Sequence, residues 1–186
     1  MTKDPRHGGR DEDFVVLVDQ TNAEVGVAPK LDAHRDGRLH RAVSVVLFDR
    51  VGRVLLQQRA SAKYHSGGLW SNTCCGHPRP GETPTQAAHR RLSDELGIAD
   101  CGLSQVSEFV YYADLGEGLV EHELDHVLVG RWDGQPSPDP AEVSAIRWIE
   151  PGRLFVELAA WPGRFTAWTH HVVSRACRLE TAPRVT

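Results

Sequence analysis

GHPRPGETPTQAAHRRLSDELGI (residues 76–98) is the stretch on which the fold turns. Thr83 can cap a helix with its side chain, Pro84 suits the first helical position, and Gly97 suits a left-handed terminus, so the segment predicts a helix from Pro84 to Leu96. Ala88, Leu92 and Leu96 recur every fourth residue as its buried stripe. Arg91 and Glu95 share a face, either as a surface ion pair or as a joint grip on phosphate and metal. Just upstream, SNTCCGHPRPGE (71–82) sets Cys75 and His77 on either side of Gly76. That places a thiol and an imidazole at one turn, where a residue without a side chain lets a ligand approach the backbone. The alternative is an ordinary tight turn with a buried cysteine.

Outward from this helix the pattern is mostly strand. FVVLVD (14–19) and VGVA (25–28) are short apolar runs joined by a turn at Asn22, and PKLDAHRDGRLH (29–40) is a short helix or loop. RAVSVVLFD (41–49) reads as a buried strand, Arg50-Val51-Gly52 as a turn, and RVLLQQR (53–59) as its hairpin partner. Residues 60–72 read as a loop bent at Gly67-Gly68. Beyond the helix come strands at 104–114, 118–132 and 143–150, a loop at 134–140, and helices at 152–160 and 163–180. Residues 1–12 and 181–186 read as tails around one domain, 13–180. The class is α+β, an α/β/α sandwich with a mixed sheet flanked by helices.

Composition narrows the function. The 186 residues suit one domain, and 40% hydrophobic with 25% charged residues excludes wholesale disorder. A net charge of −4 and a pI near 6.2 argue against nucleic acid as a partner. No apolar run approaches the roughly 18 residues of a membrane span, and no signal-peptide pattern opens the chain. Four cysteines, two of them adjacent, do not make a secreted disulfide framework; reduced thiols in a cytoplasmic setting fit better. Ten histidines suggest a metal site.

Three further constellations carry chemistry. Glu121 and Glu123, two apart in a strand, project to one face, and their apolar flanks suggest that this face is buried. Two buried carboxylates need a metal, a proton or cationic partners. His34 and His40 are each ordinary surface residues if alone; with His77, Glu121 and Glu123 they supply a mixed N/O donor set suited to Mn²⁺, Mg²⁺ or Zn²⁺. Lys30, Arg59, Lys63 and Arg91 are an anion pocket if they converge, and plain solvated charges if they scatter.

The residues resemble a known family. Gly76, Glu82, Arg90, Leu92, Glu95, Gly97 and Ile98 fall on the Nudix box, G-x5-E-x7-R-E-U-x-E-E-x-G-U, with Arg91 where the box has an acid and Asp94 as the first acid of the later pair. K-x3-H (30–34), R-L-H-R-A (38–42), Q-R-A-S-x-K (58–63), W-S-N-T-C-C-G-H-P (70–78), F-x-Y (109–111) and E-x-E (121–123) follow type I isopentenyl-diphosphate Δ-isomerases. The His34-to-His40 interval is one residue shorter than in that family.

The resemblance implies a Nudix-like sheet with added C-terminal helices and an isomerase acting on a small allylic or homoallylic diphosphate. By it, His34, His40, His77, Glu121 and Glu123 hold Mn²⁺ or Mg²⁺, with Zn²⁺ as a further option. Glu95 meets a second Mg²⁺ that arrives with the substrate. Cys75 and Glu123 form the proton-transfer pair, Tyr111 assists Glu123, and Trp168, on the late helix, faces the hydrocarbon. Lys30, Arg59, Lys63 and Arg91 hold the diphosphate. No membrane or nucleic-acid partner is implied, and the expected state is a monomer. His65 and the remaining histidines receive no role. The competing readings are a Nudix hydrolase of a nucleoside diphosphate derivative and a zinc-stabilised binding module without catalysis.

Overall fold

The computed structural model describes residues 14–63 and 65–180. The expected tails, 1–12 and 181–186, lie outside the described residues. Among the described residues nine strands form one sheet: β1 (Phe14–Val18), β2 (Glu24–Pro29), β3 (His40–Phe48), β4 (Val54–Arg59), β5 (Trp70–Ser71), β6 (Cys74–Gly76), β7 (Leu103–Gly116), β8 (Leu119–Arg131) and β9 (Val143–Ile149). Helix α1 (Lys30–Asp36) joins β2 to β3, α2 (Pro84–Leu96) follows β6, and α3 (Pro151–Ala160) and α4 (Thr169–Glu180) close the chain.

The alternation of β3 explains the layers. Val43, Val45 and Leu47 pack with Ala87, Ala88, Leu92 and Leu96 of α2, whereas Val46 and Phe48 pack with Leu154 of α3 and Val172 and Val173 of α4. Successive side chains of a strand point to opposite faces, so one apolar run supplies two cores, as expected for a central strand covered on both sides. The predicted helix is confirmed at both ends. Thr83 and Gln86 form a reciprocal capping box, and Gly97 closes α2 at φ 65°, a left-handed conformation open to glycine at little cost. Such a cap contributes about 1 kcal/mol.

β3 makes the site possible. It runs parallel to β8 along its whole length on one edge, while its other edge is shared among β1, β6 and β4. Here the hairpin reading of 53–59 holds for the turn and the first antiparallel pair, and the structure corrects the rest. β4 meets β3 only at Phe48↔Val54, then leaves it to pair with β9 and β5. The divergence opens a gap in the sheet that β5, β6 and their connection line. Part of the segment read as a loop at 60–72 is therefore strand β5.

The second correction concerns the end of the chain. The helix expected over 163–180 starts at Thr169; Pro162–Arg164 form a 3-10 turn, and Phe165 bridges to Trp70. Thr166 donates its N–H to the Trp70 carbonyl, which draws this segment onto the sheet in an extended form before α4 begins. Trp168 thus stands just ahead of α4, its carbonyl accepting the bond from Val172 N–H.

Candidate active site

A cleft of about 280 Å³ sits at the gap in the sheet, lined among others by Lys30, Arg59, Lys63, Cys75, His77, Arg91, Glu95, Tyr111, Glu121, Glu123 and Trp168. Most of the site residues expected from sequence therefore share one cavity. His34 and His40 lie behind it, both fully buried.

The two adjacent cysteines separate by strand parity. On β6, Cys74 pairs with Val45 and packs into the α2 core, while Cys75 pairs with Ser44 and packs toward the opposite face, where the cleft lies. The Cys75 thiol donates to Asn72 Oδ1 at 3.1 Å and accepts the Trp168 indole N–H at 3.1 Å. Asn72 cannot turn away, because its amide nitrogen donates to the carbonyls of Val45 and Cys74 at 3.0 and 2.9 Å. Ser44 Oγ lies 3.5 Å from the sulfur and donates to Asp125 Oδ2 at 2.8 Å. Burial, and next the charge of Asp125, push the Cys75 thiol up to about 12 against the pull of Ser44 and Asn72, so it carries its proton at neutral pH.

β8 supplies the acids. Glu121, Glu123 and Asp125 alternate along it on the face toward α4, all buried. Tyr111 on β7 lies opposite Glu123 in register and donates its hydroxyl to Glu123 Oε2 at 2.5 Å. Burial would raise Glu123, but His40 outweighs it, with Glu121 and Tyr111 assisting, and the carboxyl falls to about 2. Burial pushes the Tyr111 phenol well above its usual range, and Glu123 adds to that. The phenol therefore remains a donor.

Three histidines converge on these acids. The His34 ring centroid is 4.8 Å from that of His40 and 5.6 Å from that of His77. The short interval between His34 and His40 is spanned by the last turn of α1 and Gly37, whose φ of 62° closes that turn tightly. Backbone carbonyls of Lys30 and Arg38 accept from the Nδ1 atoms of His34 and His40 at 2.7 and 2.8 Å, which holds a proton on each Nδ1 and turns Nε2 inward, toward Glu121 for His34 and toward Glu123 for His40. His40 Nε2 and Glu121 Oε2 are buried without a hydrogen bond, as donors meant for an ion would be. His34, His40, His77 and Glu123 offer ligand atoms within 4.8 Å of one another, and so do His34, His65 and Glu121. A divalent ion fits this donor set. Burial, with Lys30 and the other imidazoles, pushes His77 well below its usual value, so it is neutral, the form that binds metal.

The cationic end carries its own acids. Arg91 grips Glu95 Oε1 through Nε and Nη2 at 3.0 and 2.5 Å, and also reaches Glu142 at 3.0 Å. Lys63 bonds Glu142 as well. Gln57 donates to the other Glu95 oxygen at 2.8 Å. Gly76 is needed for this approach: a Cβ there would lie 2.9 Å from Arg91 Cγ. Arg90 holds Glu82 through two bonds and the His77 carbonyl through a third, fastening the loop before α2 to the helix. Arg59 stands 5.6 Å from the Trp168 ring centroid.

Several contributors carried no assigned role in the sequence. Asp125 continues the two-residue alternation of Glu121 and Glu123, so its face was readable. Ser44 sits in an apolar strand without a distinguishing signal. His65 approaches Glu121 at 3.8 Å from an aperiodic loop, and Glu142 precedes β9 in another. Only three-dimensional closure brings those two to the cleft.

Known proteins are similar to this chain in sequence and in fold. The NUDIX domain family model matches residues 38–169. An isopentenyl-diphosphate Delta-isomerase of Nocardia farcinica is 53% identical over 174 residues, covering 91% of this chain and 99% of the relative. One of Burkholderia multivorans is 51% identical over 165 residues, covering 89% and 93%. The chain belongs to the isopentenyl-diphosphate Delta-isomerase family. The relatives' names favour an isomerase over a nucleoside diphosphate hydrolase. The fold agrees: the crystal structure of a Deinococcus radiodurans protein superposes with a TM-score of 0.73 at 21% identity over 87% of this chain and 98% of that one. NUDIX enzymes use divalent metals, consistent with the His/Glu group. Among the described residues no helix is long and apolar enough to cross a membrane.

Proposed function

We propose that the chain interconverts isopentenyl diphosphate and dimethylallyl diphosphate by moving one proton onto the alkene and removing another. The observation that carries this reading is that Cys75 Sγ and the Glu123 carboxylate open onto one cleft whose other end is cationic. They reach it from opposite edges of β3, Cys75 opposite Ser44 and Glu123 opposite His40. Shifting the double bond passes through a tertiary carbocation, which needs a proton donor, a proton acceptor and a dry site. The Cys75 thiol and the Glu123 carboxyl, backed by the Tyr111 hydroxyl, are the two groups able to give and take a proton, and their roles interchange between the two directions of the reaction. Trp168, 4% exposed, offers an aromatic surface that stabilises a cation without adding to it. Lys30, Arg59, Lys63 and Arg91 bind the diphosphate, remote from the reacting carbons.

His34, His40, His77, Glu121 and Glu123 would hold Mn²⁺ or Mg²⁺, with Zn²⁺ as a further option, and such an ion supplies fixed positive charge beside Glu123. Glu95 would meet the Mg²⁺ borne by the substrate. We place the enzyme in the reducing cytoplasm as a monomer. All four cysteines are free thiols, which fits a reducing compartment.

Incubation with isopentenyl diphosphate and Mg²⁺ in D₂O is expected to give dimethylallyl diphosphate carrying deuterium, with no phosphate released. Deuterium-free substrate recovered unchanged, or phosphate release, would reject the isomerase reading. A second expectation follows from Gly76. Gly76→Ala displaces Arg91 and is expected to weaken binding of inorganic diphosphate about tenfold, or ~1.4 kcal/mol. Unaltered binding by calorimetry would show that Arg91 needs no such passage.

A further inference from the structure

Glu142 has no part in the proton transfer, yet it occupies the cationic end of the cleft. Its position is built. Its N–H bonds the Asp139 carbonyl at 3.0 Å, and its own carbonyl accepts Ala60 N–H at 2.9 Å. The loop before it is docked on the end of α2, with Ser137 and Asp139 N–H donating to the Leu96 and Glu95 carbonyls at 2.8 and 2.9 Å. From this mount the carboxylate accepts from Lys63 Nζ and, at 3.0 Å, from Arg91 Nη2. Both cations belong to the diphosphate group of the proposed function, on which this inference rests. Arg91 at the same time holds Glu95. Thus two carboxylates already occupy the cations that an incoming diphosphate would need.

We infer that Glu142 makes the cleft select the metal-bound form of the diphosphate over the free anion. The free anion must take Lys63 and Arg91 from Glu142, and would then lie against two released carboxylates, Glu142 and Glu95. Like charges at hydrogen-bonding range in a half-buried site are costly. A diphosphate that carries a divalent cation brings compensating charge for the released acids, so the exchange of partners leaves no anion unpaired. Glu142 is in this sense a specificity-determining residue. It penalises one form of the ligand rather than adding attraction to the other.

The test is calorimetric titration with inorganic diphosphate, first after dialysis into buffer free of divalent ions and then with excess Mg²⁺. The wild-type chain is expected to bind the Mg²⁺ complex at least tenfold more tightly than the free anion. Glu142→Gln, which keeps the shape and removes the charge, is expected to bind free diphosphate about tenfold more tightly than wild type, so that the ratio narrows by that factor while Glu95 keeps the remaining preference. A ratio equal to that of wild type in Glu142→Gln, or equal weakening of both forms, overturns the inference. Lys63→Ala and Arg91→Ala separate this from the reading beneath it. If both bind both forms as wild type does, the diphosphate assignment fails. If they lose binding while the Glu142→Gln ratio stays at the wild-type value, only the selection by Glu142 fails.

Discussion

Cys75→Ala is expected to lower kcat by about 10³-fold, within the range contributed by a positioned acid or base, and to leave KM within a few-fold. The split follows from the layout of the cleft. The thiol sits beside Trp168 and Asn72, and the cations proposed to bind the diphosphate sit at the other end, so on the proposed function losing the sulfur removes a transfer step and little affinity. Steady-state kinetics with isopentenyl diphosphate measures both quantities, and a kcat within tenfold of wild type would remove Cys75 from the proton path. Cys74→Ala is the matched control. Its side chain lies in the α2 core at 1% exposure, so it is expected to cost about 1 kcal/mol of stability and leave kcat unaltered. Glu123→Gln is a less clean test, since Glu123 also faces the imidazoles and would disturb the metal group and the proton path together.

The difference between the two cysteines illustrates what sequence alone could settle. Strand parity sends neighbours to opposite faces, but the face toward the site depends on which strand β6 joins, and that pairing with β3 is a tertiary fact. Where the signal is local, the reading held at residue level. Thr83, Pro84 and Gly97 delimit α2 because caps act within one turn, and E-x-E marks a buried acidic face because strand periodicity is local. Where long-range pairing decides, it held only in part. RVLLQQR looks like a hairpin partner after a tight turn, yet β4 gains more by pairing with β9 along its length. Trp168 looks helical by composition, but Thr166 is drawn to the Trp70 carbonyl, and the helix begins one residue after the indole. His65 and Glu142 stand in aperiodic loops, and no spacing rule reaches them. The convergence of Lys30, Arg59, Lys63 and Arg91 was open to the plain reading of solvated charges. The cleft brings them together because β3 and β4 diverge, and that divergence has no marker in the sequence.

Chelation is expected to lower the thermal midpoint of the metal-loaded protein, and His40→Ala is expected to abolish that response. Without an ion the site leaves buried donors unsatisfied, His40 Nε2 and Glu121 Oε2 among them, and sets two carboxylates close together in a dry interior. An ion bound only by the folded chain stabilises it by about 4 kcal/mol when present at a thousand times its dissociation constant. For a chain of this length that is a shift on the order of 10 °C. His40 is the informative position because it is fully buried behind the cleft and does not line it, so its loss reaches substrate only through the metal group and the adjoining Glu123 carboxylate. The truncation also leaves a cavity, and its own midpoint falls whatever His40 does. The discriminating quantity is therefore the gap between loaded and chelated protein, read with the metal content after dialysis. Wild type is expected to show a wide gap and close to one tightly held ion; His40→Ala is expected to show neither, together with a loss of isomerase activity. The gap in wild type should narrow as pH falls, because imidazoles bind metal only when neutral and protons compete for the same nitrogens. A variant that keeps both its ion and its chelator response would place the metal elsewhere, and would leave the inward-turned Nε2 of His40 a structural feature alone.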